Sequence, residues 1–103
     1  MRARLLKLGK RIELEIGPHG YRVFTDSAPA LEKALARNAH LGWIGKNTLL
    51  LNRNAGSWFF LGEIYTDLLL PPDASPAPAN QCGRCNACIK ICPTQAILGP
   101  YRL

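Results

Sequence analysis

The sequence predicts an α+β fold in which helices and strands are followed by a short cysteine-rich segment. Apolar residues recur at helical spacing over residues 2–16, β-prone residues alternate over residues 20–26, and all four cysteines lie within residues 82–92. With 103 residues, the chain has room for at most one ordinary domain. Its composition, 48% apolar and 19% charged, is typical of a globular protein and argues against disorder.

The composition also predicts the compartment and limits the partners. The chain has no apolar run of about eighteen residues, and residues 1–15 carry alternating charges instead of the apolar core of a secretory signal. We therefore expect a cytoplasmic protein that neither spans nor anchors in a membrane. The net charge of +6 is compatible with a nucleic-acid partner, but on charge alone a solvated helix face is the favoured explanation.

Residues 2–16, RARLLKLGKRIELEI, predict the first helix. The residues expected on its apolar face follow one another at intervals of three or four: Leu5, Leu8, Ile12 and Ile16. Gly17 and Pro18 should end this helix, because helices do not continue through that pair.

A strand and a second helix are predicted next. Residues 20–26 alternate as a strand does, and Pro29 suits the first turn of a helix that runs to about His40. Gly42 lies where a C-terminal cap is expected. The residues expected on the core face of this helix are Leu31, Ala34, Leu35 and Ala39.

The middle of the chain predicts a hairpin and then a linker. Residues 48–51 and 57–65 are β-prone and are separated by NRNAG, whose Asn and Gly residues tolerate left-handed backbone. Residues 71–80, PPDASPAPAN, contain four prolines and predict a linker or surface crossing. The predicted divisions are therefore residues 1–70, the linker at 71–80, and residues 81–103.

The cysteine spacing predicts iron–sulfur ligation. Cys82, Cys85, Cys88 and Cys92 follow C-x2-C-x2-C-x3-C and are followed directly by Pro93. In the bacterial [4Fe–4S] run, the first three cysteines bind one cluster and the fourth binds a second cluster. Structural zinc normally needs a second pair of cysteines about fifteen to twenty residues away, and a cytoplasmic location disfavours disulfides. Because the other ligands of both clusters are absent from residues 1–103, we expect the chain to be a segment of a longer protein.

Several stretches together resemble the epoxyqueuosine reductases of tRNA modification. They are GYRVFTDSAPALEKALARNAHLGWIGKNTLLLN, AGSWFFLGEIYTDLLL, CGRCNACIKICPTQAI and GPYRL, and the similarity extends over essentially the whole chain. The resemblance implies part of an α/β cobalamin-binding domain, followed by the start of a bacterial ferredoxin-like 2[4Fe–4S] domain. It implies cobalamin and two [4Fe–4S] clusters as cofactors. The partners implied are a tRNA that carries epoxyqueuosine, an external electron donor and the remainder of the longer chain.

The resemblance also assigns a role to Asp26 in FTDSAP. Opening an epoxide leaves an alkoxide that needs a proton, and a carboxyl group whose pKa is raised by burial against the corrin could supply it. On local pattern alone, Asp26 would instead be expected to cap the following helix. The resemblance makes the proton donor the better hypothesis.

The glycine-rich stretch LGWIGKNTLLLN and the following AGSW are predicted to contact cobalamin. The polar residues proposed for its amide groups or phosphate tail are Lys46, Asn47, Thr48, Asn52 and Ser57. Without the resemblance, such a stretch would indicate only turns, and Trp43, Trp58, Phe59 and Phe60 would indicate core residues. Two other functions are weighed: a ferredoxin-type electron-transfer module, and a cobalamin and iron–sulfur reductive dehalogenase relative.

Overall fold

Helices and strands alternate along the chain in a computed structural model that describes residues 1–26 and 30–103. In order, the elements are α1 Arg2–Ile16, β1 Tyr21–Phe24, α2 Glu32–Asn38, β2 Trp43–Ile44, β3 Leu50–Leu51, β4 Glu63–Thr66 and α3 Ala87–Ile91. The mixed class predicted from the sequence is confirmed. The role predicted for Pro29 lies outside the described residues.

The described residues form two compact units. Unit 1 comprises Met1–Glu32 and Phe60–Asp73, and unit 2 comprises Lys33–Phe59 and Ala74–Leu103. The buried apolar side chains of the described residues are Val23 in unit 1, and Ala36 and Leu50 in unit 2. Among these residues, no helix combines the length and apolar character needed to cross a bilayer.

Unit 1 is built from α1 and a two-stranded antiparallel sheet. Helix α1 has the predicted bounds, and Gly17 follows it with a φ of 111° that favours glycine. Strand β1 pairs with β4 in the register Tyr21↔Thr66, Arg22↔Tyr65, Val23↔Ile64 and Phe24↔Glu63. The predicted strand is therefore confirmed, although it is shorter than residues 20–26.

The buried face of α1 differs from the predicted one. It is centred on Gly9, which is buried, while Leu8 is 50% exposed and Ile16 is 63% exposed. A Cβ on Gly9 would lie 2.3 Å from Cε2 of Tyr21, so the tyrosine ring packs directly on the helix backbone. The predicted stripe was thus wrong at Leu8 and Ile16, because the helix packs through a residue without a side chain.

In unit 2, α2 ends earlier and differently than predicted. The Leu41 N–H donates to Ala36 O (3.0 Å) and the His40 N–H donates to Arg37 O (3.0 Å), while His40 has a φ of 59°. This is the Schellman pattern, with a histidine in the left-handed position, so Gly42 is not the cap. The predicted core face was also wrong: Leu31 precedes the helix, Leu35 and Ala39 are exposed, and Ala36 is the buried residue.

The hairpin in the middle of the chain is formed by different strands than those predicted. Strand β2 pairs with β3 in the register Trp43↔Leu51 and Ile44↔Leu50. The NRNAG turn does close, through an antiparallel bridge between Asn52 and Gly56, but β4 beyond it pairs with β1. The predicted pairing of residues 48–51 with 57–65 was therefore wrong.

Gly42 has a packing role at the start of this hairpin. A Cβ at Gly42 would lie 2.0 Å from the carbonyl oxygen of Leu51, which is the backbone of the facing strand. The close approach of the two strands therefore requires glycine at this position.

Candidate functional site

The four cysteines lie on a turn, a short helix and the residue after that helix. Cys85 donates its N–H to Cys82 O (2.9 Å), and Gly83 between them has a left-handed φ of 48°. Cys88 lies on α3. Cys92 ends α3 with extended backbone (φ −62°, ψ 110°), as expected for a residue that precedes proline.

The chemistry of these donors fits an iron–sulfur cluster. All four thiols are free, with Cys85 exposed and the other three half-buried. The pKa of Cys92 is lowered by a hydrogen bond from the Ile97 backbone, then by the Thr94 hydroxyl, and burial opposes these effects only in part. Thiolates are the ligands of such clusters, so a sulfur held toward its thiolate form suits this role. No three or more His, Cys, Asp or Glu side chains of residues 1–26 and 30–103 are grouped to hold a metal ion.

Residues 82–86 form a turn, called the cysteine turn below, and side chains from outside this turn hydrogen-bond to it. The Lys46 Nζ donates to Gly83 O (2.8 Å), Cys85 O (2.9 Å) and Asn86 Oδ1 (3.0 Å). Asn80 Oδ1 accepts the N–H of Cys82 at 2.8 Å. The ammonium group of Lys46, predicted to contact cobalamin, thus lies on the cysteine turn.

The other polar residues predicted to contact cobalamin also lie in unit 2. Asn47 Oδ1 accepts the Leu49 N–H at 3.2 Å, and the carbonyl of Thr48 accepts a hydrogen bond from Lys33 Nζ at 2.9 Å. Thr48 has a left-handed φ of 64°. Ser57 is half-buried, and its hydroxyl has no hydrogen-bond partner among the described residues. Their predicted contacts with cobalamin stay predictions.

Among the described residues, the side chain of Asn52 makes three hydrogen bonds, as many as that of Lys46. Its Nδ2 donates to Leu41 O at 2.7 Å, and its Oδ1 accepts the N–H groups of Asn54 (2.9 Å) and Ala55 (3.0 Å). The side chain therefore stabilises the turn that follows β3 and joins it to Leu41, three residues beyond the end of α2.

Asp26 lies in unit 1, two residues beyond the end of β1. It is exposed and lines a cavity of about 340 Å³. The residues around this cavity are Met1, Arg4, Thr25, Asp26, Phe60 and Leu61. The structure thus places the predicted proton donor at an open cavity with an arginine on its wall, whereas the other predicted site residues belong to unit 2.

A second carboxylate in unit 1 experiences the charge of Asp26. The pKa of Glu63 is raised by burial, then by the negative charge of Glu32 and, to a smaller extent, by that of Asp26. One buried oxygen of Glu63 and one of Glu32 have no hydrogen-bond partner among the described residues. Glu63 is therefore easier to protonate in the folded state than a glutamate with an ordinary pKa.

Comparison with known proteins gives a consistent match. The epoxyqueuosine reductase of Xanthomonas campestris is 68% identical over 103 residues, which are all of this chain and 28% of that protein. The enzyme of Pseudomonas aeruginosa is 60% identical over the same share of each chain. No family model matches the chain.

Solved structures give the same result. A crystal structure of selenomethionine-labelled epoxyqueuosine reductase matches with a TM-score of 0.87 and 26% identity, over 99% of this chain and 27% of that one. The resemblance to epoxyqueuosine reductases is confirmed. The chain spans about 28% of the length of the curated epoxyqueuosine reductases it matches.

Two further epoxyqueuosine reductase structures match the chain, and each shows a functional feature of its own protein. One contains an epoxyqueuosine-modified stem loop of a tyrosine tRNA and matches with a TM-score of 0.85 and 26% identity, over 98% of this chain and 26% of that one. The other, from Bacillus subtilis, has its catalytic aspartate loop swung out of the active site. It matches with a TM-score of 0.76 and 26% identity, over 99% of this chain and 27% of that one.

Sequence reasoning missed several residues that surround these sites. Arg4 and Phe60 line the cavity of Asp26. Asn80 accepts the N–H of Cys82, and Asn86 accepts a hydrogen bond from Lys46. Asn80 could have been found, because an Asn placed shortly before a turn often accepts a backbone N–H two residues on. No local sequence pattern indicated that Arg4 would lie at the cavity of Asp26. Phe60, at 80% exposure, and Trp58, at 97%, correct the prediction that these aromatic residues belong to the core.

Proposed function

We propose that this chain forms part of an epoxyqueuosine reductase, which reduces epoxyqueuosine to queuosine at the wobble position of tRNA. The observation that carries the proposal is the 68% identity with the Xanthomonas campestris epoxyqueuosine reductase over all 103 residues. The ferredoxin-type electron-transfer module and the dehalogenase relative are not favoured, because the named matches described above are epoxyqueuosine reductases.

In this proposal, residues 1–70 belong to a cobalamin-binding domain and residues 81–103 begin a ferredoxin-like domain. When bound, cobalamin and the two clusters supply low-potential electrons for removal of the epoxide oxygen. Cys82, Cys85 and Cys88 are the proposed ligands of one cluster, and Cys92 is a proposed ligand of the other. The lowered pKa of Cys92 supports its role, because a thiolate is the ligand form.

Asp26 is the proposed proton donor. Its position just after β1, at the wall of a cavity of about 340 Å³, would let a carboxyl group reach a substrate lodged there. The Bacillus subtilis structure supports this role, since the catalytic loop described for that enzyme carries an aspartate. A positioned acid of this kind contributes about 10²–10⁴-fold to a rate.

The proposed macromolecular partner is a tRNA that carries epoxyqueuosine. The modified stem loop bound by one structural neighbour supports it, and the net charge of +6 is compatible with a polyanionic partner. An external electron donor is also required, because reduction of the epoxide consumes electrons that no residue of the chain supplies.

The test is Asp26→Asn in the whole protein, purified without oxygen. We expect turnover to fall by about 10²–10⁴-fold while the bound cobalamin and iron are unchanged. Turnover is measured as queuosine formed in epoxyqueuosine-modified tRNA, by mass spectrometry of its nucleosides. Asp73→Asn, at an exposed carboxylate in the proline-rich segment, is the control and should keep full activity. Undiminished turnover in Asp26→Asn would end the assignment, and a wild-type protein without iron would end the proposed function.

A further inference from the structure

We propose that Lys46 is a positioning residue for the cluster bound by Cys82, Cys85 and Cys88. Its ammonium group holds the backbone of the cysteine turn, residues 82–86, and places a positive charge at that turn. The inference rests on the proposed function, because it requires a cluster at these cysteines. It goes beyond that function by assigning Lys46 to the electron-transfer site.

The hydrogen bonds of Lys46 saturate its ammonium group. A lysine has three N–H donors and no acceptor, and here the acceptors are Gly83 O at 2.8 Å, Cys85 O at 2.9 Å and Asn86 Oδ1 at 3.0 Å. The partners lie 37, 39 and 40 residues away in sequence. One side chain therefore holds two carbonyl groups of the turn and the side chain of Asn86, the residue before α3.

The backbone of Lys46 is held as well. It lies in the tight connection between β2 and β3, where Thr48 N–H donates to Gly45 O at 2.9 Å. The carbonyl of Lys46 accepts the N–H of Tyr101 at 2.8 Å, from the segment that follows the cysteines. Because residues within the cysteine run and after it contact Lys46, the position of its ammonium group is determined by the fold of unit 2.

The charge of Lys46 has an electrochemical consequence. Cluster potentials depend on local net charge, hydrogen bonding and exposure. A cluster that accepts one electron gains one negative charge, and a nearby ammonium group stabilises that reduced form more than the oxidised form. Lys46 should therefore raise the reduction potential of this cluster, which makes it easier to reduce by an external one-electron donor.

Lys33 offers a matched control in the same unit. Its Nζ also donates to a backbone carbonyl, that of Thr48, at 2.9 Å, but it makes no hydrogen bond to the cysteine turn. Lys33→Gln and Lys46→Gln remove the same charge and the same kind of bond. Lys46→Arg keeps the charge while changing the geometry of the donors.

The experiment compares the whole wild-type protein with these three variants under anaerobic conditions. The rate of iron loss to a chelator reports the positioning role. Titration with dithionite, followed by electron paramagnetic resonance, reports the reduction potential. In Lys46→Gln we expect several-fold faster iron loss and, for one cluster only, an about tenfold lower ratio of reduced to oxidised form at a fixed potential. A tenfold lower ratio corresponds to a midpoint potential that is lower by about 59 mV for the transfer of one electron.

Each outcome decides the proposal. It is supported if Lys46→Gln shows both changes while Lys46→Arg keeps the wild-type midpoint and Lys33→Gln behaves as wild type in both measurements. It is overturned if Lys46→Gln matches wild type in iron loss and midpoint, or if Lys33→Gln changes both as much as Lys46→Gln does. If Lys46→Gln binds no cluster, the potential of Lys46→Arg decides the charge effect, and a shift there refutes it. A wild-type protein without iron would instead refute the proposed function.

Discussion

Asn52 offers a direct test of whether a predicted cofactor contact has a structural role instead. Its side chain makes three hydrogen bonds, to Leu41 O (2.7 Å), Asn54 N (2.9 Å) and Ala55 N (3.0 Å). Asn52→Ala removes all three and leaves the two backbone bonds between Asn52 and Gly56 in place. Because solvent reaches this turn, each lost bond should cost about 0.5–1 kcal/mol, or about 2 kcal/mol together.

The expected loss can be measured locally. At about 1.4 kcal/mol per factor of ten, a loss of 2 kcal/mol should make opening of residues 41–56 about thirtyfold more frequent. Hydrogen–deuterium exchange with mass spectrometry of peptides from this region reports that opening directly. Asn54→Ala is the control: this asparagine lies in the same turn, and its side chain makes no hydrogen bond among the described residues.

The reasoning would be refuted if exchange in Asn52→Ala stayed within twofold of wild type. A loss of cobalamin affinity without faster exchange would instead support the contact predicted from the sequence. Asn52→Asp provides an intermediate point, because it keeps the acceptor for the two N–H groups and loses the donor to Leu41 O. We expect its exchange rate to lie between those of wild type and Asn52→Ala.

Two further predictions concern stability. Since burial and the charges of Glu32 and Asp26 raise the pKa of Glu63 above its ordinary 4.5, its contribution to stability is greatest below that value and falls as the pH rises through the raised pKa. Glu63→Gln should therefore raise the melting temperature at pH 7 and leave it nearly unchanged below pH 4; an equal shift at both pH values would contradict this. Gly42→Ala should destabilise by about 1–3 kcal/mol in thermal melts, because its Cβ would lie 2.0 Å from Leu51 O. An unchanged melting temperature would show that the strands can separate without cost.

The parts of the fold that were predicted correctly depend on local signals. The bounds of α1 follow from apolar periodicity and from Gly17 and Pro18, all within one stretch of chain. The NRNAG turn was also predicted, because Asn and Gly favour its backbone. Strand pairing was not: β2 has two residues, too few for a periodic pattern, and β4 pairs with β1, which lies far away in sequence.

The end of α2 shows how tertiary contacts override a local preference. Gly42 was predicted as the cap because glycine adopts left-handed backbone readily, yet His40 has the left-handed φ of 59°. The imidazole Nε2 of His40 hydrogen-bonds to Pro76 O at 2.9 Å, a residue of the proline-rich segment. Gly42 is instead needed where β2 begins, because β3 passes too close for any Cβ.

In the candidate site, too, features within one short stretch of sequence were predicted, and contacts between residues far apart in sequence were not. Thiol spacing is a local feature, and it predicted the ligand run of Cys82–Cys92 directly. The contact of Lys46 with that run joins residues 37–40 positions apart, and a positively charged residue in a glycine-rich stretch gave no sign of it. Its assignment to cobalamin therefore rested only on the resemblance.

The order of the cysteine turn depends on polar contacts more than on an apolar core. Unit 2 buries the apolar side chains of Ala36 and Leu50, neither of which belongs to the cysteine segment, while Lys46 and Asn80 hydrogen-bond to the turn itself. Net hydrogen bonds contribute about 0.5–1.5 kcal/mol each, which orders a turn without making it rigid. A cluster that binds only the ordered turn would add its binding free energy to this small stability. Cluster assembly and ordering of the segment should therefore be coupled, and Lys46 is the side chain through which the rest of unit 2 contributes most to both.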